Sequence, residues 1–237
     1  MSFFAKQWQN SQAVAASYDA IAPSFAASRK GFWPEFSLFK QYSKSGDKII
    51  DLGCGSGRLF DFLQQEGLKV DYWGLDISSE LLNVAKTNHP DLAGKFILGS
   101  LPSLPFPDNS CDVIACFAAF HHLPNRNSRL QALQEMKRIL KSGGIIVMTN
   151  WYLWIYKFLP NFLRAIFTFT FFKDLLIVWK GEKDKLIWRY YHAFTINELN
   201  KLFIQAGFKP ETTIFTNKKG SKRNLLSIAK KVNKIHE

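Results

Sequence analysis

Between residues 47 and 150, short apolar runs alternate with amphipathic stretches. Segments 47–52, 69–76, 96–99, 111–117 and 145–149 are brief, apolar and bounded by polar or glycine positions, which predicts strands. Segments 58–67, 78–88 and 127–140 carry apolar residues at helical spacing; Leu130, Leu133, Met136 and Leu140 form one such stripe. Ser78 or Ser79 supplies a helix cap, with Glu80 in the first turn, and 142–144 ends the third helix. Strand–helix alternation of this kind predicts an α/β fold: a parallel sheet with helices on both faces.

The flanks differ in pattern. Residues 10–45 read as a helical segment. Residues 151–180 are dense in Trp, Tyr and Phe, yet Lys157, Pro160, Arg164, Lys173 and Asp174 interrupt them. No uncharged run reaches the roughly 18–20 residues of a spanning helix. This stretch reads as an inserted helical cap over the sheet, or as an amphipathic helix lying on a membrane surface. Residues 195–206 predict a further helix, capped by Thr195 and stopped at Gly207. Segments 209–216 and 224–229 read as a closing pair of strands. No linker divides the chain, so one domain is expected over 1–237, with an N-terminal cap (10–45), a core (47–150), a substrate-side insert (151–192) and a closing helix and strands (193–237).

Composition narrows the class. The chain has 237 residues, 47% of them apolar, which suits a globular protein with a full core. Its start lacks a basic head followed by an apolar run, so no secretory signal is expected. The three cysteines, Cys54, Cys111 and Cys116, are odd in number and show no metal spacing. Reduced thiols, a cytoplasmic location and no metal follow from that usage. The net charge is +12, and Lys218, Lys219, Lys222, Arg223, Lys230, Lys231 and Lys234 crowd the last segment. Such a surplus favours a polyanionic partner, nucleic acid or an anionic membrane, or else forms a solvated basic tail.

The chemistry is concentrated in "DLGCGSGRLFDFL", residues 51–63. A strand that enters a helix through Gly53, Gly55 and Gly57 exposes backbone N–H groups to a ligand. Dinucleotide sites use the spacing GxGxxG, but Arg58 stands at its sixth position here. Asp51 faces the same turn and suits a cation better than a pyrophosphate. Asp76 ends the next strand, where a carboxylate can accept from both hydroxyls of a ribose. A ribose and a cationic part, without phosphate, describe S-adenosylmethionine.

"IIDLGCGSGRL", "GLDIS", "GSLPSLPFPDNSCDVIAC" and "RILKSGGIIVM" together resemble the class I methyltransferase signature. The resemblance implies a Rossmann-like, doubly wound, seven-stranded sheet with its last strand antiparallel. It implies a cofactor site of Asp51, Gly53, Cys54, Gly55, Gly57, Asp76, Ile77, Ser100, Leu101 and Phe117, with Tyr18 and Arg29 covering it. Ser100 stands where such enzymes usually carry an acid that reads the adenine amino group. Ile77 would pack on the adenine ring, and Phe117 would meet the methionine end.

Three further segments, "SYDAIAPSFAASRKGFWPEF", "AAFHHLPNRNSRLQALQEMKRIL" and "VWKGEKDKLIWRYYHAFTINEL", are similar to the tRNA methyltransferases that esterify 5-carboxymethyluridine at the wobble position. That similarity implies a tRNA partner, a small activator protein for some members, and a carboxylate substrate. A carboxylate of ordinary pKa, about 4, is ionised at neutral pH and needs no general base. Its holders would be Arg29, His121, His122, Arg189, Tyr191 and His192, with Tyr190 as a further candidate. If extended, Tyr190 and Tyr191 face opposite ways, so one of them belongs to the core. The aromatic insert departs from the resemblance and leaves a small-molecule or lipid substrate, such as a quinone precursor, as the alternative.

Overall fold

A computed structural model describes residues 11–29, 31–167, 173–180, 186–216 and 224–232. Nine strands are found there: β1 (Lys48–Leu52), β2 (Asp71–Asp76), β3 (Phe96–Leu98), β4 (Cys111–Phe117), β5 (Leu140–Trp151), β6 (Asp174–Lys180), β7 (Leu186–His192), β8 (Phe208–Thr216) and β9 (Asn224–Lys231). The described helices are α1 (Ser11–Asp19), α2 (Ala22–Ser28), α3 (Pro34–Phe39), α4 (Arg58–Gln65), α5 (Ser79–Asn88), α6 (Arg126–Ile139), α7 (Leu159–Phe167) and α8 (Ile196–Gln205).

Seven strands form one sheet in the order β3-β2-β1-β4-β5-β9-β8. The pairs among β1 to β5 are parallel, while β9 runs antiparallel to both β5 and β8. Successive strand residues feed opposite faces. Ile50, Leu52, Ile114, Cys116, Ile146 and Met148 pack on the side of α6 and α8, and Ile49, Val113, Ala115, Phe117 and Val147 on the side of α3 and α4. Burial on both faces explains why these strands are continuously apolar. The strand order reverses between β1 and β4, and the crevice at that switch point is where such sheets take ligands.

The structure departs from the pattern in two places. After α6, the glycines do not simply end a helix. Strand β5 begins at Leu140, and its pairing to β4 jumps from Cys111↔Leu140 to Val113↔Ile145. The surplus residues form a bulge in which Gly143 takes φ +75°. The insert is also only partly helical. Helix α7 buries Phe162 and Ala165 and leaves Leu159, Leu163 and Ile166 exposed. The chain then forms a separate hairpin, β6–β7, with Ile177 opposite Arg189 and Leu175 opposite Tyr191. Runs such as Leu175–Trp179 are rich in β-branched and aromatic residues, which suits a pleated strand better than a helix. Among the described residues no helix is long and apolar enough to cross a membrane.

Candidate active site

The glycine turn is built tightly against its neighbours. Gly53 and Cys54 both donate their N–H groups to the Leu75 carbonyl, at 2.7 and 3.1 Å. Gly53 takes φ +78°, and a Cβ there would lie 2.3 Å from that of Ala119. Only glycine fits that place. Gly55 is also left-handed, but its missing Cβ faces open space within the cleft. Gly57 behaves differently: it caps α4 and lets His89 and Phe96 approach, and it is not on the cleft wall.

Two buried acids flank the turn. Asp76 accepts from Gly55 N–H at 2.8 Å and Ser78 N–H at 2.9 Å. Burial raises its pKa against the pull of those bonds. Asp51 accepts from the Tyr72 hydroxyl at 2.7 Å. Burial, helped by the charge of Asp76, pushes the Asp51 carboxyl up to about 7. The N-terminal helices close over this floor. Asp19, at the end of α1, accepts from the Ser78 hydroxyl at 2.6 Å and from Glu80 N–H at 3.1 Å.

Tyr18, Arg29, Asp51, Gly53, Cys54, Gly55, Asp76, Ile77, Ser100, Leu101 and Phe117 share one cleft at the carboxyl ends of the parallel strands. His121 and His122 line its other end with Trp151. Both histidines are held neutral, and in opposite tautomers. Nδ1 of His122 is 2.7 Å from the Tyr190 carbonyl, which can only accept, so Nδ1 carries the proton. Its Nε2 then accepts from the Tyr18 hydroxyl. His121 accepts the Trp151 N–H on Nδ1 at 3.3 Å, which places its proton on Nε2. That Nε2 is buried with no partner among the described residues. Burial, with the positive charge of Arg189, brings the His122 pKa down to about 3 and drives His121 low as well. Neither ring has a free basic nitrogen.

The hairpin divides the remaining candidates by strand parity. Arg189 and Tyr191 leave β7 on one face and pack against Tyr18, His121 and Trp151 of the cleft wall, without lining the cleft themselves. Arg189 is 2% exposed, with Nη1 3.4 Å from the Tyr18 hydroxyl and its guanidinium 5.3 Å from the Tyr191 ring. Tyr191 stacks on His121 and Trp151. Tyr190 and His192 leave the strand on the other face, away from the cleft. His192 is clamped between Asp174 at 2.6 Å and Glu198 at 2.8 Å, and Tyr190 bonds Asp174, Arg129 and the Pro124 carbonyl. So His192, expected beside the substrate, braces the hairpin against α8 instead. Tyr190 and Tyr191 do face opposite ways, but both are buried.

Several participants carry no sequence signal of their own. Ala118, lining the cleft at the end of β4, holds φ +54° without being glycine, and Asp19 and Trp179 act only through contacts distant in sequence. The basic residues Lys218, Lys219, Lys222, Arg223 and Lys234 lie outside the described residues, as do 168–172 of the aromatic insert. Lys231 is committed to Asn109 and the Leu140 carbonyl.

Comparison with known proteins agrees with this geometry. A methyltransferase domain model matches residues 50–148. A protein of Encephalitozoon cuniculi bearing the name "putative methyltransferase" is 32% identical over 81% of this chain and 85% of its own length. The chain belongs to the S-adenosylmethionine-dependent methyltransferases. A tRNA (carboxymethyluridine(34)-5-O)-methyltransferase of Schizosaccharomyces pombe is 28% identical over 80% of this chain and 86% of its own. The Arabidopsis thaliana enzyme of the same name is 32% identical over 56% of this chain, which spans only 31% of that relative's length. A demethylmenaquinone methyltransferase of Staphylococcus haemolyticus is 27% identical, covering 83% of each chain. Among solved structures, a methyltransferase of Methanosarcina mazei superposes with a TM-score of 0.70 at 24% identity, over 85% of this chain and 98% of its own. A Haloferax volcanii methyltransferase structure, in complex with the Trm112 activator, gives a TM-score of 0.60 at 18% identity, over 94% and 100%.

The methyltransferase cofactor suits this cleft. Asp76 is a buried carboxylate with lone pairs beyond its two backbone bonds, the space over Gly55 is open, and Asp51 lacks a cationic partner among the described residues.

Proposed function

We propose that this methyltransferase acts on the carboxylate of a 5-carboxymethyl-type uridine at the tRNA wobble position. The observation that carries the reading is a pair of arginines without a counter-ion. Arg29 and Arg189 are near enough that the charge of one depresses the pKa of the other, after burial itself. Both Nε atoms are buried without a partner, and neither guanidinium pairs with a carboxylate among the described residues. An uncompensated buried charge is costly, and an anionic ligand relieves it. The names of the fission-yeast and plant relatives support a uridine carboxylate as that anion.

S-adenosylmethionine, when bound, supplies an electrophilic methyl group on a sulfonium. Asp76 would hold its ribose and Asp51 its positive charge, with Ile77, Ser100, Leu101 and Phe117 around the rest. The chain's own contribution to the acceptor is positioning. Arg29 and Arg189 grip the carboxylate, Tyr191 and Tyr18 fix Arg189, and His121 offers Nε2–H as a neutral donor. With no free basic nitrogen on either histidine, the cleft suits an acceptor that is already ionised. The activity belongs in the cytoplasm with its tRNA, one domain carries it, and a small activator like that of the Haloferax structure is a fitting partner.

A second reading is a quinone-precursor or other lipid-like substrate. The exposed stripe of Leu159, Leu163 and Ile166 on α7, together with the menaquinone-type relative, favours it. One experiment separates the two. The protein is incubated with tritiated cofactor and either bulk tRNA or a lipid and quinone extract, with and without an activator. Label in an alkali-labile methyl ester of a modified uridine supports the first reading. Label confined to the extract moves the protein to the second.

A further inference from the structure

Trp179 sits on β6, on the hairpin face that also carries Arg189 and Tyr191. The register pairs it with Ile187, two positions before Arg189. Its ring lies 5.0 Å from the Arg189 guanidinium and 5.8 Å from that of Arg29. The indole face therefore partly offsets two cations that repel each other. Its Nε1–H, however, is buried and meets no acceptor among the described residues. Other tryptophans in the chain behave differently: Trp73 donates to Asp71 and Trp154 to the Ala193 carbonyl. Buried indole N–H groups usually find a partner, so an orphan beside two orphan guanidinium N–H groups points to an acceptor that arrives with a ligand.

We infer that Trp179 Nε1–H is a third donor to the substrate carboxylate, completing a cradle with Arg29 and Arg189. This rests on the carboxylate reading above and extends it to a residue of the aromatic insert. The role has a kinetic signature. Methylation neutralises the carboxylate, so a bond to its charge is strongest in the bound substrate and weakens along the reaction. Loss of the donor should raise KM without lowering kcat, and can raise kcat slightly, because the bond it removes holds the bound substrate more than the transition state.

The test uses the full-length chain labelled with nitrogen-15. Its seven tryptophans give the indole N–H signals, and the one missing in Trp179→Phe identifies Trp179. The wild type is titrated with 5-carboxymethyluridine, with its methyl ester and with acetate. We expect the Trp179 signal to move with both acids and not with the ester. In Trp179→Phe, KM for the modified tRNA should rise roughly tenfold or more, the scale of one hydrogen bond to a charged group. Unchanged positions for the remaining indole signals show that the variant is folded. If the wild type methylates the uridine carboxylate while the Trp179 signal stays still and the variant keeps its KM, the inference is overturned and the substrate reading survives. If acetate moves the signal but no uridine is methylated, the cradle stands and the uridine reading falls. If neither acid moves the signal and no uridine is methylated, both fall.

Discussion

The hydroxyl of Tyr18 donates to Nε2 of His122 across 2.7 Å, joining residues 104 positions apart. This bond occupies the one nitrogen of His122 that could have served as a base. It ties the N-terminal helix to the wall of the cleft in the same stroke.

A flat pH profile follows. With His122 held at about 3 by burial and by Arg189, and His121 also low, neither ring titrates in the usual imidazole range. At saturating cofactor and substrate, kcat should not vary between about pH 6 and 8 through a group near the ordinary histidine value of about 6.5. A limb at that value, abolished in His122→Gln, would return a proton-transfer role to the pair.

Cofactor binding should vary with pH where kcat does not. The Asp51 carboxyl stands at about 7, above its ordinary value of 3.8, because it is buried. The folded chain therefore holds a proton that the unfolded chain has released. Stability from this group falls as pH rises from near 4 and the loss is complete above about 7. A cationic ligand favours the ionised form, so S-adenosylmethionine should bind more tightly at about pH 8 than at 6. Thermal shift with and without the cofactor measures this: the gap should widen with pH, and Asp51→Asn should flatten it.

Arg189→Met should stabilise the fold while removing activity. The substitution keeps an unbranched side chain and deletes a buried charge that has no acidic partner among the described residues. Melting should move upward, by about 2–4 °C for each kcal/mol recovered. Cofactor affinity, read by calorimetry, should stay within about twofold if Arg189 holds the acceptor as proposed, since it contacts neither Asp51 nor Asp76. A variant that melts lower would mean that Arg189 holds the hairpin together.

His192→Gln should do the opposite. His192 links Asp174 of β6 to Glu198 of α8. Burial pushes the Glu198 carboxyl up, but the bonds from His192 and Lys173 outweigh it and hold the group at about 2. Glu198 is partly exposed and keeps Lys173, and Asp174 keeps Tyr190, so the loss should be about 1–2 kcal/mol, the scale of hydrogen bonds to charged groups. Denaturant unfolding should show a loss on that scale with the cofactor Kd unchanged. A weakened Kd with an unchanged unfolding midpoint would put His192 back in the cleft.

The parallel core was legible because its signals are local. Glycine at 53, the cap at Ser78 and the apolar runs of β1, β4 and β9 each state their structure within a few residues. The cap at Thr195 is equally direct, since its hydroxyl accepts from Glu198 N–H. The hairpin was not legible in the same way. Aromatic crowding hides a period of two as readily as one of 3.6, and only the pairing of Ile177 with Arg189 resolves it. The site divides likewise. Asp51 and Asp76 could be found from strand ends, whereas His192 and Arg189 are told apart only by the face each takes on β7. Trp179 becomes visible only because its indole nitrogen has no partner among the described residues.

Because Arg189 and Tyr191 pack toward Tyr18, His121 and Trp179 while Tyr190 and His192 serve the brace, β7 is in effect a two-track tape. A slip of one residue against β6 would exchange the tracks, turning an imidazole toward Tyr18 and Trp179 and a guanidinium toward the clamp of Asp174 and Glu198. Lengthening the strand by two residues keeps the tracks in phase; lengthening it by one exchanges both sets of contacts together. Descendants of this chain are thus freer to change what β7 carries than to change how many residues precede it.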